Sequence, residues 1–361
     1  MALRAAVMVG PNRPIENWSI DDPEIDPGGI LLETIASEVC GTDVHLLHGR
    51  LDGVPYPIIP GHVSVGRIAE LNAVERDFNG RHLSVGDTVT FYDVHEICGQ
   101  CWYCAVALQP NRCPHRRVYG ITYPASDGPL GGWCEAIYLK PGVRVFKLNS
   151  GLGPDDVIGG GCGMFTGFAA LDRAEIRLGD IVLVQGTGPV GLAAIAFAHF
   201  RGAALVIATG DPEARLELAA DFGADVAMSV SETTADERRE RVADLTAGRG
   251  VDAAIEATGN PQAVDEGLHH VRDGGRYVVA GHYTDTGAVA INPHTQITRK
   301  HVEIMGQWGT DLRHVSGALR LAARHRIPFR RIAGRRYSLE RANEALDDVA
   351  NLRVTKAIIA P

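Results

Sequence analysis

The alternation of apolar and polar positions changes character part-way along this chain. Up to about Ser150 the apolar runs are short, as in Gly29 to Ala36, Val65 to Leu71 and Val85 to Phe91, and Gly and Pro interrupt them often. Short alternating runs bounded by such residues predict an all-β region with long loops. From about Asp155 the pattern becomes one of strands alternating with helical stretches. Strands are predicted at Ile181 to Gln185, Ala204 to Thr209, Val226 to Ser229, Ala253 to Glu256, Arg276 to Ala280 and Glu303 to Gln307. Helices between most of them predict an α/β fold with a doubly wound parallel sheet. Beyond Gly306 come an amphipathic helix (Val315 to His325), the Arg-rich stretch Arg330 to Arg336, a helix from Leu339 and a last strand near Lys356 to Ala360. There is no internal repeat and no low-complexity tract.

The strand at Ile181 runs straight into Gly186-Thr187-Gly188-Pro189-Val190-Gly191 and then into an Ala-rich helix. In that order Gly186 permits the tight turn, Gly188 lets the backbone approach a pyrophosphate, and Gly191 lets helix and strand pack closely. The helix N-terminus then faces the phosphates. A turn that merely needs small residues is the plainer reading of the glycines alone. Their place between a strand and a helix, with a second strand following, favours a dinucleotide site.

Composition narrows the classes. A chain of 361 residues exceeds one ordinary core, so two domains are expected. A net charge of -9 speaks against nucleic acid as a partner. The Arg and His residues near the C-terminus alternate with apolar residues and read as solvated helix faces. The opening MALRAAVMVG is too short for a signal peptide, and no apolar run reaches the length of a membrane span, so a cytoplasmic protein without a membrane partner is expected. Of seven cysteines, four fall between Cys98 and Cys113, which in a reducing compartment reads as a metal site rather than disulfides.

Cys98, Cys101, Cys104 and Cys113 offer four thiolates within one loop, the donor set of a closed, structural zinc site. A second group is dispersed: Cys40-Gly41-Thr42-Asp43-Val44-His45, then Gly61-His62, then Gly161-Cys162-Gly163. Spacing alone does not join these pieces, and a lone Cys or His in a β-region is commonly a core residue.

Taken together, Cys-x-Thr-Asp-x-x-His, Gly-His, the CxxCxxC loop, Gly-Cys-Gly-x-x-Thr-Gly and the GxGxxG turn resemble the zinc-dependent medium-chain dehydrogenase/reductase (alcohol dehydrogenase) family, in order and along essentially the whole chain. The resemblance implies a GroES-like catalytic domain (1–155 and 306–361) with a Rossmann dinucleotide-binding domain (156–305) inserted into it. It implies that Cys40, His62 and Cys162 bind a catalytic zinc with an open fourth position, and that Asp43 hydrogen-bonds His62 from behind. It gives Thr42 and His45 a proton relay, through the nicotinamide ribose hydroxyls, from the substrate alcohol, and it sets Thr166 against the nicotinamide ring. Two zinc ions per chain are therefore expected. Two departures stand out. The family usually carries Glu after the ligand histidine, a carboxylate that assists ligand exchange, where this chain has Val63. Cys113 also lies one residue beyond its usual spacing.

The activity implied is hydride transfer between an alcohol, a secondary one in preference, and NAD(P), giving the ketone or aldehyde. The alternatives are an NADPH-dependent carbonyl reductase of the same family, a zinc-free quinone-reductase-like enzyme and a non-catalytic nucleotide-binding relative. Asp211, twenty residues past Gly191, is the candidate ribose-binding acid, with Gly210 at the acid's usual place. Asp211 and Glu213 would oppose a 2′-phosphate and Arg215 would offset part of that, so NAD is preferred over NADP. The substrate wall is expected to include Leu51 and Val94, with Asp93 and His95 nearby. A homodimer or homotetramer is expected, joined edge to edge through Glu303 to Gln307.

Overall fold

The computed structural model describes residues 2–361. The chain divides into two compact units, Met1–Gly161 with Asp311–Pro361, and Cys162–Thr310.

The first unit is built on antiparallel strands. Ile30–Val39 is central, pairing with Ser64–Leu71 on one side and with the C-terminal strand Ala357–Ile359 on the other. The C-terminal segment thus completes a sheet begun more than three hundred residues earlier, with Ile358 opposite Glu38. Thr88–Phe91 and Val145–Lys147 extend the sheet beyond Ser64–Leu71, and Ala136–Leu139 also pairs with Ile30–Val39. Ala2–Met8 and Ile15–Asp21 form a separate hairpin. Two apolar clusters fill this unit, one around Trp133, Ile58 and Leu346 and one around Tyr119, Ile68 and Leu139.

The first unit is less purely β than the pattern predicts. A seven-residue helix, Gly41–Leu47, follows the central strand directly. Its two buried residues, Asp43 and Leu46, are too few to print a helical period on the sequence. Arg313, Arg320, Arg324 and His325 lie on the exposed face of the helix Leu312–His325, whereas the Arg-rich stretch between the helices forms a short turn at Phe329–Arg331 and a strand at Arg336–Tyr337. Arg330 there grips the buried Asp156 through both carboxylate oxygens, at 2.9 and 3.0 Å.

The second unit is a six-stranded parallel sheet. Numbered in chain order from Ile181–Gln185 to Glu303–Gly306, its strands lie 3-2-1-4-5-6, the doubly wound Rossmann order expected from the sequence. The order reverses between Ile181–Gln185 and Val251–Glu256, and ligands of such sheets bind at the carboxyl ends of the strands at that point. The glycine turn at 186–191 is at that end.

Candidate active site

Cys40 follows the central strand directly and caps the helix Gly41–Leu47. Residues three apart on a helix share a face. Asp43 and Leu46 therefore point inward together, while Thr42 and His45 share another, half-buried face. Glu38, two residues before Cys40 on the same strand, is fully buried, and His62 lies in the segment leading into the paired strand Ser64–Leu71.

Cys162 follows Gly161 by one peptide bond. The helical stretch Pro154–Arg173 is broken at Gly161, which has φ of 50° and ψ of -148°. A Cβ at Gly161 would lie 1.9 Å from Glu38 Oε2 and 2.2 Å from Lys356 Nζ, so only glycine brings this bend against the strand. One donor atom each from Glu38, Cys40, His62 and Cys162 lies within 4.8 Å of the others. Three pieces far apart in the sequence thus converge, and Glu38, which the motifs do not single out, joins them. Its only sequence signal is a charge in the otherwise uncharged run Thr34-Ile-Ala-Ser-Glu-Val-Cys40.

These residues fit a metal. His62 is 4% exposed and Asp43 is 0% exposed, yet His62 Nδ1 and Asp43 Oδ1 have no hydrogen-bond partner among the described residues. Buried polar atoms left in that state are costly, and a set of sulfur, imidazole and carboxylate donors is what Zn²⁺ takes. The expected hydrogen bond between Asp43 and His62 is not formed. Asp43 Oδ2 accepts instead from the Cys40 N–H at 2.9 Å, because its place in the first helical turn brings that donor closer. Asp43 and His62 interact only through their charges, and burial drives the Asp43 carboxyl well above its usual range. His45 is lowered from its ordinary value by burial and then by Arg50. Burial pushes Asp93 up to about 6, with His62 pulling the other way, which sets Asp93 within electrostatic reach of the metal donors. His95 is not available to a substrate: its Nδ1 meets Tyr123 Oη at 2.9 Å and its Nε2 meets the Pro141 carbonyl at 3.0 Å. Leu51 is partly buried against the Trp133 cluster, and Val94 pairs with Val118 in a two-residue ladder.

The sulfur atoms of Cys98, Cys101, Cys104 and Cys113 form a second group, also within 4.8 Å of one another. The short turn Pro110–Arg112 leads directly into Cys113. The Cys98 thiol is lowered to about 6, first by backbone N–H donors from Gln100 and Cys101, the environment that favours a thiolate ligand.

The glycine turn has the predicted stereochemistry. Gly186 sits at φ of 105° with its missing Cβ 2.9 Å from the Ala257 backbone, and at Gly191 a Cβ would fall 1.8 Å from the Gly186 carbonyl. Around Gly188 there is open space. Pro189 then opens the helix Pro189–Ala198 without any capping side chain, so the first N–H groups, among them those of Val190 and Gly191, are left for a ligand. The Cys162 side of the broken helix packs on this one through Gly163 and Gly167, whose Cβ positions would lie 2.7 Å from Pro189 and 2.6 Å from Val190; Thr166, between them, is part-exposed.

The ribose acid is where structure and sequence part. Asp211 is fastened into its own loop: its carboxylate accepts from Ser229 Oγ (2.8 Å), Ser231 N (2.9 Å) and Ser231 Oγ (2.9 Å). Three of a carboxylate's roughly four acceptor positions are then filled. Gly210 cannot carry an acid in its place, since a Cβ there would lie 2.4 Å from Thr187 Oγ1. Arg215 is half-buried, and among the described residues no acceptor engages its guanidinium.

Models of known families match both halves of the sequence. Residues 26–150 match the alcohol dehydrogenase GroES-like domain and residues 189–324 match the zinc-binding dehydrogenase domain. Across 99% of its length, and 98% of the relative's, the chain is 33% identical to the 5-exo-hydroxycamphor dehydrogenase of Pseudomonas putida. The chain belongs to the zinc-dependent medium-chain dehydrogenase/reductase family. It superposes on an alcohol dehydrogenase from Thermotoga maritima with a TM-score of 0.95 at 33% identity, covering 100% of both chains. A zinc-binding dehydrogenase from Sinorhizobium meliloti, solved bound to NADP, gives 0.86 at 25% identity, again over 100% of both. As a member of this family the protein is a zinc-dependent oxidoreductase that transfers a hydride between an alcohol and NAD(P). The residue after His62 is Val63, buried and apolar, and its carbonyl accepts the N–H of Glu38 at 3.0 Å. No helix among the described residues is long and apolar enough to cross a membrane.

Proposed function

We propose that Cys40, His62 and Cys162 hold a catalytic zinc, that Cys98, Cys101, Cys104 and Cys113 hold a structural one, and that the substrate is a secondary alcohol. The observation that carries this is the gathering of Glu38, Cys40, His62 and Cys162 donors within 4.8 Å beside two orphaned buried polar atoms. Zinc bound there supplies a Lewis acid that lowers the pKa of an alcohol hydroxyl towards neutrality. Thr42, on the part-exposed face of the helix after Cys40, accepts the hydroxyl hydrogen bond. His45, one turn on along the same face, is kept neutral at pH 7 by burial and Arg50, and takes up the released proton. Asp93, half-buried, gives the site one carboxyl that suits a second polar group on the substrate. The substrate named for the Pseudomonas relative, a hydroxycamphor, supports a ring-borne hydroxyl.

The second unit binds the dinucleotide on the turn Gly186 to Gly191 and the N-terminus that Pro189 and Val190 open, with Thr166 beside it. Because Asp211 is committed to its loop and Arg215 has no partner among the described residues, the charge argument for NAD alone weakens, and the protein accepts NADP alongside NAD. The outer strand Glu303–Gly306 has one edge unpaired within the chain and exposes Ile304, which supports a homodimer or homotetramer through that edge. Seven free cysteines support a reducing, cytoplasmic setting.

A panel of primary, secondary and cyclic alcohols with both cofactors tests the reading, together with Cys40→Ser. That variant is expected to lose one zinc and turnover while still binding NAD(P)H by fluorescence. Full activity in Cys40→Ser would overturn the assignment.

A further inference from the structure

Two buried charges in the first unit take no part in the chemistry proposed for the metal centre. Glu38 and Lys356 are each 0% exposed and meet at 2.6 Å through Lys356 Nζ and Glu38 Oε2. A buried ion pair is not an efficient way to stabilise a fold, since desolvation offsets most of the attraction. This one spans a fold-defining distance, with the two residues 318 apart in sequence, and it adjoins the metal donors. Lys356 Nζ also donates to the Gly160 carbonyl at 3.3 Å, next to the bend that carries Cys162. One carboxylate oxygen of Glu38 is thus held by the lysine. The other, Oε1, lies 3.3 Å from His62 Nε2.

The four donors pose a problem of coordination. One donor each from Glu38, Cys40, His62 and Cys162 would fill the four positions that zinc takes, whereas a zinc that handles substrate needs an open position. Charge makes the same point. With both cysteines as thiolates and Glu38 ionised the donors carry three negative charges, and a divalent cation with Lys356 brings three positive. Lys356 therefore balances the carboxylate whether or not it touches the metal. The strand pair supplies the third clue. The Glu38 N–H donates to the Val63 carbonyl at 3.0 Å, so Glu38 and Val63 are neighbours across two paired segments.

Resting on the catalytic-zinc reading, we propose that Glu38 is an exchangeable ligand of that metal, moving between the metal and Lys356, and that it fills from across the strand pair the role left empty by Val63. With zinc in place, Oε1 would be the oxygen that reaches the metal while Lys356 holds Oε2, and a shift of the carboxylate towards Lys356 would leave a position open to substrate. Gly161 is required because any side chain there would occupy the space into which the carboxylate and lysine fit.

The test is zinc release from the purified holoenzyme into excess chelator, with the visible spectrum of the cobalt-substituted protein recorded without substrate. Glu38→Gln is expected to release the zinc of this centre about 10 to 100-fold faster and to change the cobalt spectrum. Exchanging the two neighbours, Glu38→Val with Val63→Glu, is expected to restore release to within about threefold of the wild type, by the same ligand count. Lys356→Met is expected to slow release, because the carboxylate then has only the metal to bind. Should Glu38→Gln not accumulate folded, Glu38→Gln with Lys356→Met removes both charges together and is expected to release as fast as predicted for the single variant. Unchanged release and spectrum in the Glu38 variants would overturn the proposal. So would acceleration by Lys356→Met, the mark of a purely structural pair. Cys40→Ser separates this failure from that of the site itself: if it keeps both zinc ions, the centre is misassigned, and if it loses one while Glu38→Gln behaves as wild type, only the role of Glu38 falls.

Discussion

Gly161→Ala is the sharpest probe of how the ligand-bearing bend is held. The backbone at φ of 50° and ψ of -148° lies in a region that suits glycine, and an alanine there costs about 1–3 kcal/mol. The new methyl would stand 1.9 Å from Glu38 Oε2 and 2.2 Å from Lys356 Nζ. Both are ends of flexible side chains, so the clash is relieved by displacing the pair. Separating a buried ion pair costs about 3–5 kcal/mol, and the sum is about 4 kcal/mol or more. Gly80→Ala is the control, in the same unit with φ of 78° and nothing within 4 Å of its Cβ; only the backbone cost applies, about 1–2 kcal/mol. The assay is urea unfolding followed by tryptophan emission, to which Trp18, Trp102 and Trp133 of the first unit contribute. Because a chain of two units need not unfold in one step, midpoints of the first-unit transition are compared rather than a global free energy. With a slope of about 2–3 kcal/mol per molar urea, Gly161→Ala lowers the midpoint by about 1.5–2 M and Gly80→Ala by about 0.5 M. Equal changes for the two would refute the argument that the bend packs on the Glu38–Lys356 pair.

Three further outcomes follow from other parts of the structure. Cys113→Ser should reduce zinc from two to one per chain and lower the thermal midpoint while leaving dinucleotide binding in place; two zinc ions retained would remove Cys113 from the ligand set. In the second unit, Glu266 is held down to about 2 against the pull of burial, by hydrogen bonds from Arg238 and then His270. A carboxyl held that far below its ordinary range contributes about 3 kcal/mol, present above the ordinary carboxylate range and lost as pH falls towards 2. Glu266→Gln is therefore expected to destabilise this unit at pH 7, with the difference from wild type closing below about pH 4.5 in pH-dependent melts; a pH-independent difference would contradict the ion-pair account. For the cofactor, Arg215→Ala should weaken NADP at least tenfold more than NAD, while Asp211→Ala should change the two alike, as binding titrations would show. A selective loss of NAD in Asp211→Ala would return that carboxylate to the ribose.

The parallel sheet is legible in the sequence because most of its strands are short apolar runs; the fifth, Val271–Val279, begins five residues before the predicted Arg276, since its first half holds Arg272, Asp273, Gly274 and Gly275. Ile181–Gln185 and Val226–Ser229 match their predicted limits to the residue, and the glycines after the first of them announce close approach and positive φ. Asp211 is not legible in the same way, because spacing past a glycine turn fixes where an acid sits along the chain and not which donors reach it. Here Ser229 and Ser231, on the far side of a helix in sequence, reach it first. The helix Gly41–Leu47 is hidden because seven residues with two buried positions carry no period, although it sets Thr42 and His45 on one face.

The metal centre shows why a local motif underdetermines a site. A motif records which side chain follows which, so the absence of Glu after His62 looks like a loss. Strand pairing adds neighbours that sequence order hides: Glu38 lies across from Val63, and the C-terminal strand brings Lys356 beside it. An acidic residue within a buried strand is expensive on its own and becomes tolerable when it is paired or hydrogen-bonded. At position 38 Lys356 supplies the pairing, because the chain returns after 318 residues to complete the same sheet. Removing the carboxylate should therefore loosen the centre whether or not Lys356 is kept, whereas removing Lys356 alone leaves the carboxylate to the metal donors.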